Sequence, residues 1–256
     1  MTTITITFGD RAENHKGMQI IGTSSNNGFT LNDLVNSKKL FEKKGLNCRL
    51  INLNSLLDNN IEAPSANVLV VKNFVGMILN DINKTNNDLY NELISLEWDT
   101  KALMYGRVVN KHARHNLCFD YVSQEPNYDS GKGRIISYSL TPHLKYIKES
   151  LPKYIIGSDN LVGEGNLYYD VSKCGIGYHY DSERKKVVGV RIGNSMPLHY
   201  QWFVNNNPVG NNIKIDLDDG DLYIMDEIAK GHLTSYSKKN VYAVKHSAGC
   251  SKYTKC

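Results

Sequence analysis

His179 and Asp181 stand two positions apart in the segment GIGYHYDSE, residues 175–183. On a β-strand, residues i and i+2 point to the same face, so both side chains can reach one metal ion. Such a pair also arises by chance, and a histidine hydrogen-bonded to a nearby carboxylate is commoner than a metal ligand. One more histidine would give two imidazoles and one carboxylate, a set that binds divalent iron on one face and leaves the opposite face open. The pair therefore predicts a metal centre if the fold supplies a third ligand.

The second half of the chain has the pattern of a fold that can supply one. From Asn166 onward, short β-rich segments alternate with turns, which is typical of a β-barrel or a double-sheet jelly roll. Inward-facing residues of two opposed sheets can meet in the cavity between them. The predicted strands are 167–170, 177–180, 187–192, 199–204, 213–217, 221–225 and 241–246.

The first half alternates strands with helices. Thr30, with Asp33 three residues later, has the spacing of a helix N-cap, and Gly45 is expected to end that helix. Strands are predicted over 4–8, 48–53, 67–71 and 102–109, a loop over 9–28, and further helices over 89–96 and 142–151. We therefore predict an α+β protein, with a small α/β domain of unknown role over residues 1–115 and a jelly-roll domain over residues 116–256.

The sequence around His179 resembles the AlkB-like branch of the iron(II)/2-oxoglutarate oxygenases. Members carry a tyrosine about ten residues before the HxD pair, as Tyr169 is here, and an Ile-Gly-x-His-x-Asp-x-Glu core, as in 176–183. They continue with a strand ending in a small-residue turn, matched by 190–193, and a Gly-Asp-leading strand, matched by 220–225. The resemblance covers roughly residues 160 to 256 and implies a jelly roll holding Fe(II) and 2-oxoglutarate.

The whole chain also resembles an uncharacterised group of AlkB-like oxygenases of large DNA viruses. The similarity lies near the N-terminus, where TFGD occupies 7–10, ENH occupies 13–15 and GMQ occupies 17–19. It implies a fold and a cofactor but names no substrate.

Two histidines compete for the third position of the metal site. His232 follows Gly220 by twelve residues, a common spacing in AlkB relatives, and Lys245 would then fall at the usual co-substrate position. His246 ends a predicted strand and is followed by a Lys-Tyr-Thr segment at 252–254, which resembles several 2-oxoglutarate oxygenases. A strand holds a ligand more rigidly than a loop flanked by glycine does. We therefore favour His246 and keep His232 as the alternative.

The resemblance also implies contacts to the co-substrate. A buried dicarboxylate needs a cation and hydrogen-bond donors to offset its desolvation. Lys252 is the first candidate for the distal carboxylate and Tyr169 for a donated hydrogen bond, but the usual Arg-x-Asn-x-x-x-x-Arg ending is absent. Arg191 is therefore a possible substitute. Because halogenases lack the carboxylate ligand, Asp181 favours hydroxylation or oxidative demethylation over halogenation.

The bulk properties are ordinary. The 256 residues carry a formal net charge of +4, which permits nucleic acid as a partner without arguing for it. The chain has no apolar run of membrane-spanning length and no signal peptide pattern, so we expect an intracellular protein without a membrane partner. The five cysteines form no zinc or disulfide pattern.

Three functional hypotheses remain open. The first is a dioxygenase acting, with dioxygen and 2-oxoglutarate, on a modified nucleobase or nucleic acid. The concentrated positive stretch over 106–116 supports it, although a solvated linker has the same composition. The second is the same chemistry on a protein side chain or small metabolite. The third is a jelly-roll binding protein whose HxD pair is structural.

Overall fold

The structure is a computed structural model that describes residues 1–58, 61–231, 234–235 and 241–255. Its strands are β1 (Thr3–Gly9), β2 (Arg11–Glu13), β3 (Ile20–Gly22), β4 (Cys48–Asn52), β5 (Asn67–Val71), β6 (Lys101–Met104), β7 (Arg107–Asn110), β8 (His115–Asp120), β9 (Ile135–Ser137), β10 (Val162–Tyr168), β11 (Gly175–His179), β12 (Val187–Gly193), β13 (Leu198–Val204), β14 (Asn207–Ile215), β15 (Leu222–Met225), β16 (Thr234–Ser235) and β17 (Val241–Gly249). Its α-helices are α1 (Leu31–Lys43), α2 (Phe74–Asn80), α3 (Asn86–Ile94), α4 (Pro142–Ser150) and α5 (Ser251–Thr254).

The larger sheet has eight strands in the order β4-β5-β15-β12-β1-β10-β8-β9. The N-terminal strand β1 lies inside it, antiparallel to β10 on one side and to β12 on the other. Thr5 of β1 is opposite Asn166 of β10 and Arg191 of β12. The three strands therefore bring distant polar residues to one face at the same height.

The two faces of this sheet meet different environments because side chains alternate along each strand. Ile4, Ile6 and Phe8 of β1 join the core beneath the helices, together with apolar residues of α1 to α4. Thr3, Thr5 and Thr7 are buried on the opposite face. An apolar face toward the helices and a polar face away from them thus follow directly from the Thr-Ile alternation.

The second sheet covers part of that opposite face. It contains β11, β17, β13 and β14 in that order, and β16 pairs with β17. A second apolar core combines residues of both sheets, including Val70, Val187 and Met225 from the larger and Tyr200 and Trp202 from the smaller. The molecule is therefore layered as helices, eight-stranded sheet and smaller sheet.

The mixed class of helices and strands is confirmed. The boundary predicted between residues 115 and 116 falls inside β8, and β1 pairs on both sides with strands of the second half. The two halves therefore share one sheet. The capping box of Thr30 and Asp33 begins α1 as predicted, with Gly45 in a left-handed conformation just beyond its end.

Two local predictions were wrong. The strand expected over 102–109 is the hairpin of β6 and β7, because Tyr105 and Gly106 adopt positive φ angles of 50° and 73°. The loop expected over 9–28 contains the small hairpin of β2 and β3. In addition, α2 was not predicted, since its mostly apolar sequence lacks the alternation of buried and exposed positions that marks a surface helix. Within the described ranges, no helix is long and apolar enough to cross a membrane.

Candidate metal centre

Hydrogen bonding between β11 and β17 brings two histidines together. His179, the last residue of β11, is opposite His246 of β17, after a register shift that follows Ile176. The two imidazole centroids are 4.3 Å apart. The pairing of two strands separated by more than sixty residues of sequence therefore selects His246 as the partner of the HxD pair.

Asp181 completes a three-residue cluster. Its Oδ1 atom lies 3.6 Å from Nε2 of His179 and 3.8 Å from Nε2 of His246. The candidate ligand atoms of the three residues all lie within 4.8 Å of one another. Ligands bound about 2.1 Å from a single ion stand about 3 Å apart, so a small contraction would close this set around a metal. The alternative ligand His232 lies outside the described residues.

Hydrogen bonding orients His179 toward the cluster, and burial favours the neutral form of His246. Nδ1 of His179 lies 2.8 Å from the carbonyl oxygen of Gly177, so a proton on Nδ1 would be donated there and Nε2 would face the cluster with its lone pair. Burial lowers the pKa of His246 well below its usual value, and the positive charges of His179, Arg184 and Lys230 act in the same direction. A neutral imidazole is the form that binds a metal.

Asp181 is held through its backbone by the turn over residues 226–231. Its N–H donates to the carbonyl oxygen of Lys230 at 3.0 Å, and Nζ of Lys230 donates to the carbonyl oxygen of Asp181 at 3.0 Å. Asp226 shapes this turn by accepting from the N–H of Ala229 at 2.7 Å and from the side chain of Asn67 at 2.9 Å. The carboxylate therefore sits on a fixed backbone, as a metal ligand requires.

The cluster opens into a small cavity of about 60 Å³. Both sheets contribute to its walls, which are mainly polar on the side of the larger sheet. The lining residues are Thr5, Thr7, Arg114, Glu164, Asn166, Tyr168, Ile176, His179, Asp181, Arg184, Val187, Arg191, Leu198, Tyr223, Met225, His246 and Ala248. Among them are two fully or almost fully buried arginines, which differ sharply in their partners.

Arg191 is a buried cation without a carboxylate partner. It is 1% exposed, and Nη1 donates to Oγ1 of Thr5 on the neighbouring strand. Within the described part of the chain, Nε has no hydrogen-bond partner and no carboxylate lies at ion-pair distance. Burial lowers the pKa of this guanidinium, against the opposing influence of Tyr223, Tyr168 and Asp221. Because an isolated buried charge is costly, this arrangement suits a site that receives an anionic ligand.

Arg184, in contrast, has two carboxylate partners. It forms ion pairs with Glu164 and with Glu183, and Nε donates to Glu183 at 2.7 Å. On the same wall, Oδ1 of Asn166 accepts from Nε of Arg114 at 2.7 Å and from Asn116 at 2.7 Å. Both arginines keep one buried nitrogen without a partner, Nη1 of Arg184 and Nε of Arg191, but only the charge of Arg184 is met by carboxylates among the described residues.

Two of the predicted co-substrate residues lie away from the cavity. Tyr169 is 38% exposed and its hydroxyl donates to the carbonyl oxygen of His112 at 2.7 Å. Its neighbour Tyr168 lines the cavity instead, because adjacent strand residues point to opposite faces. Lys252 is exposed on α5, with Nζ 5.5 Å from the ring centroid of Tyr253. Arg191 alone of the three predicted residues borders the cluster.

Sequence reasoning missed the polar wall. Thr5 lies outside the stretch that resembles the family, and Glu164 and Asn166 lie within it but match none of its motifs. Their only sequence signal is a polar residue at every second position of a buried strand. The aromatic-rich run over 197–203 contributes mainly to the core, since Tyr200 and Trp202 pack between the sheets.

The comparisons with known proteins give a viral relative. The chain is 46% identical over 255 residues to the uncharacterized protein R156 of Acanthamoeba polyphaga mimivirus, covering 99% of this chain and 98% of that protein. No family model matches the chain. The chain therefore belongs to the same family as this mimivirus protein.

Proposed function

We propose that this protein is an iron(II)- and 2-oxoglutarate-dependent dioxygenase built on a double-stranded β-helix, or jelly roll. One observation carries the proposal: His179, Asp181 and His246 converge in the same cavity as Arg191, a buried guanidinium with no carboxylate partner among the described residues. The two facing, largely antiparallel sheets are in keeping with the jelly-roll architecture.

The donor set fits the metal. Two imidazoles on paired strands, with one carboxylate two residues beyond the end of the first strand, give the ligand set that is typical of a non-haem iron(II) site with open positions. The same three ligand types occur in zinc hydrolases, which add a free carboxylate as general base. Here Glu164 and Glu183 are both paired with Arg184, so neither is free for that role. This pairing favours the oxygenase.

Bound iron would supply the activation of dioxygen that oxidises a C–H bond of the substrate while 2-oxoglutarate is converted to succinate and carbon dioxide. The protein's part is to bind and orient. His179, Asp181 and His246 would hold the metal from one side, and Arg191, fixed by Thr5, would bind the far carboxylate of the co-substrate. Burial of Arg191 excludes water and strengthens that charge pair.

For the substrate, we propose a modified nucleobase, free or in nucleic acid. The support is the position of the predicted basic stretch beside the cavity. The N–H of Gly175, at the start of β11, donates to the carbonyl oxygen of Ala113 at 3.0 Å, and Arg114 lines the cavity. A positive rim beside a polar wall suits a phosphate-bearing substrate.

The test is turnover of 2-oxoglutarate to succinate by the iron-loaded protein under air, measured by mass spectrometry. We expect succinate from the wild type, its loss in Asp181→Ala, and a strong decrease in Arg191→Met. Lys252→Met is the matched control, because this lysine lies outside the cavity and its loss should change nothing. Absence of succinate from a correctly folded, iron-loaded wild type would overturn the proposal.

A further inference from the structure

A second cavity shares no lining residue with the cavity at the metal centre. Its volume is about 660 Å³, which is within the usual range for small-molecule sites. It is bordered by the hydroxyl-rich segment after β3, the end of β8, helix α4 and the start of β10. The lining residues are Gly22, Thr23, Ser24, Ser25, Asp120, Tyr121, Lys148, Gly157, Asp159, Asn160, Leu161, Val162 and Lys186.

Lys148 is the unusual residue of this cavity. It is only 5% exposed, and its Nζ donates to the hydroxyl of Tyr121 at 2.7 Å. The rings of Tyr121 and Tyr138 also lie near Nζ, with centroids at 4.8 Å and 5.8 Å, but no carboxylate of the described ranges lies at ion-pair distance from it. An ammonium group has three donors, so two remain for another partner. Ring faces attract the charge without neutralising it, so a buried ammonium with no anionic partner indicates that a counter-charge belongs here.

Lys186 brings a second cation to the same cavity. Its Nζ donates to the carbonyl oxygen of Gly157 at 2.7 Å, and it too has no carboxylate partner in the part of the chain that is described. Hydrogen bonds to Asp10 fix the backbone of this lysine. Oδ1 of Asp10 accepts from the backbone N–H of Lys185 at 2.8 Å and from the backbone N–H of Lys186 at 2.9 Å. Oδ2 of Asp10 accepts from the backbone N–H of Ser25 at 2.8 Å. Asp10 thus ties the lysine-bearing segment to the hydroxyl-rich segment.

We propose that this cavity binds the phosphate group of a small phosphorylated ligand. Lysine binds phosphate as a point charge, and serine and threonine hydroxyls add donors, whereas a planar carboxylate is better matched by the arginine fork that Arg191 offers elsewhere. Asp120 and Asp159 also line the cavity, and Oδ1 of Asp120 accepts from the N–H of Tyr121 at 2.8 Å. The negative charges of Asp120 and Asp159 repel anions that merely diffuse into the cavity. A phosphate group therefore binds only where it contacts the two lysines directly.

The test is isothermal titration of the metal-free protein with AMP and with inorganic phosphate. We expect saturable one-to-one binding of AMP in the wild type and in His179→Ala, because the site does not involve the metal centre. Lys186→Gln should weaken AMP at least tenfold, since it removes a charge-assisted hydrogen bond.

Lys185→Gln is the matched control. This neighbouring lysine also donates to a backbone carbonyl, that of Asn26 at 2.6 Å, but it does not line the cavity. Its loss should change AMP affinity less than twofold. Lys148→Met should weaken AMP binding as Lys186→Gln does. If the Lys148→Met protein does not fold, Tyr121→Phe is used in its place, because it removes the hydroxyl that accepts from the Lys148 ammonium. Absence of saturable AMP binding, equal effects of Lys185→Gln and Lys186→Gln, or succinate binding as tightly as AMP would overturn the proposal.

Discussion

Arg191 and Arg184 are both buried arginines of one cavity, but among the described residues only Arg184 has carboxylate partners. In Arg191→Met, the folded protein loses one hydrogen bond to Thr5, worth about 1 kcal/mol, and is relieved of an uncompensated buried charge. We therefore expect the free energy of unfolding without ligands to stay within about 1 kcal/mol of the wild type or to rise.

Affinity for 2-oxoglutarate should respond in the opposite way. Truncating one partner of a buried, hydrogen-bonded charge pair costs about 2–5 kcal/mol, which corresponds to roughly 30-fold to 4,000-fold weaker binding. The assay is anaerobic calorimetric titration of the iron-loaded protein with 2-oxoglutarate, together with thermal unfolding of the metal-free protein.

The control is Arg184→Met. This change leaves the buried Glu164 and the half-buried Glu183 without their cation and should destabilise the protein by about 3–5 kcal/mol. For a chain of this size, the melting temperature would fall by about 6–20 °C. If Arg191→Met destabilised the ligand-free protein as much as Arg184→Met, or kept wild-type affinity for 2-oxoglutarate, the reasoning about Arg191 would be refuted.

Three further predictions concern the supports of the site. Burial raises the pKa of Asp226 to about 6, above its unfolded value of 3.8, so the folded state binds the proton more tightly. The free energy of unfolding should therefore fall by roughly 3 kcal/mol as pH rises from about 4 to 6. Urea unfolding curves at several pH values measure this slope, and Asp226→Asn should flatten it. Lys230→Met should weaken Mn(II) binding about 10- to 100-fold in a metal titration, because its Nζ no longer holds the backbone of Asp181, and unchanged affinity would contradict that role. Gly189→Ala should destabilise by about 1–3 kcal/mol in thermal unfolding, because a Cβ there overlaps the ring of Tyr223; an unchanged melting temperature would show that the ring has room to move.

The HxD pair and one distal histidine were predictable from the sequence because strand periodicity and the family-like motif are local signals. The partnership of His179 and His246 depends on the register of β11 against β17, which no local pattern specifies. Because sequence spacing does not show how strands pair, it wrongly indicated Lys252 and Tyr169 as cavity residues. Lys252 is exposed on α5, and strand alternation turns Tyr169 away from the cavity.

The sheet was predictable strand by strand but not as a whole. The Thr-Ile alternation of β1 predicts a strand, yet nothing in it says that β1 pairs with β10 and β12 and brings Thr5 beside Arg191. Long-range pairing of this kind is decided by the combined packing of both faces. The polar wall of Glu164 and Asn166 emerges only from that pairing.

The most direct test of the central claim is anaerobic addition of iron(II) and 2-oxoglutarate to the metal-free protein, followed by visible absorption of the metal-to-ligand charge-transfer band. The account predicts a band in the wild type and in His232→Ala, and its loss in His179→Ala and in His246→Ala. A band that survived His246→Ala and vanished in His232→Ala would contradict the assignment of the third ligand. No band in the wild type would contradict the iron centre itself.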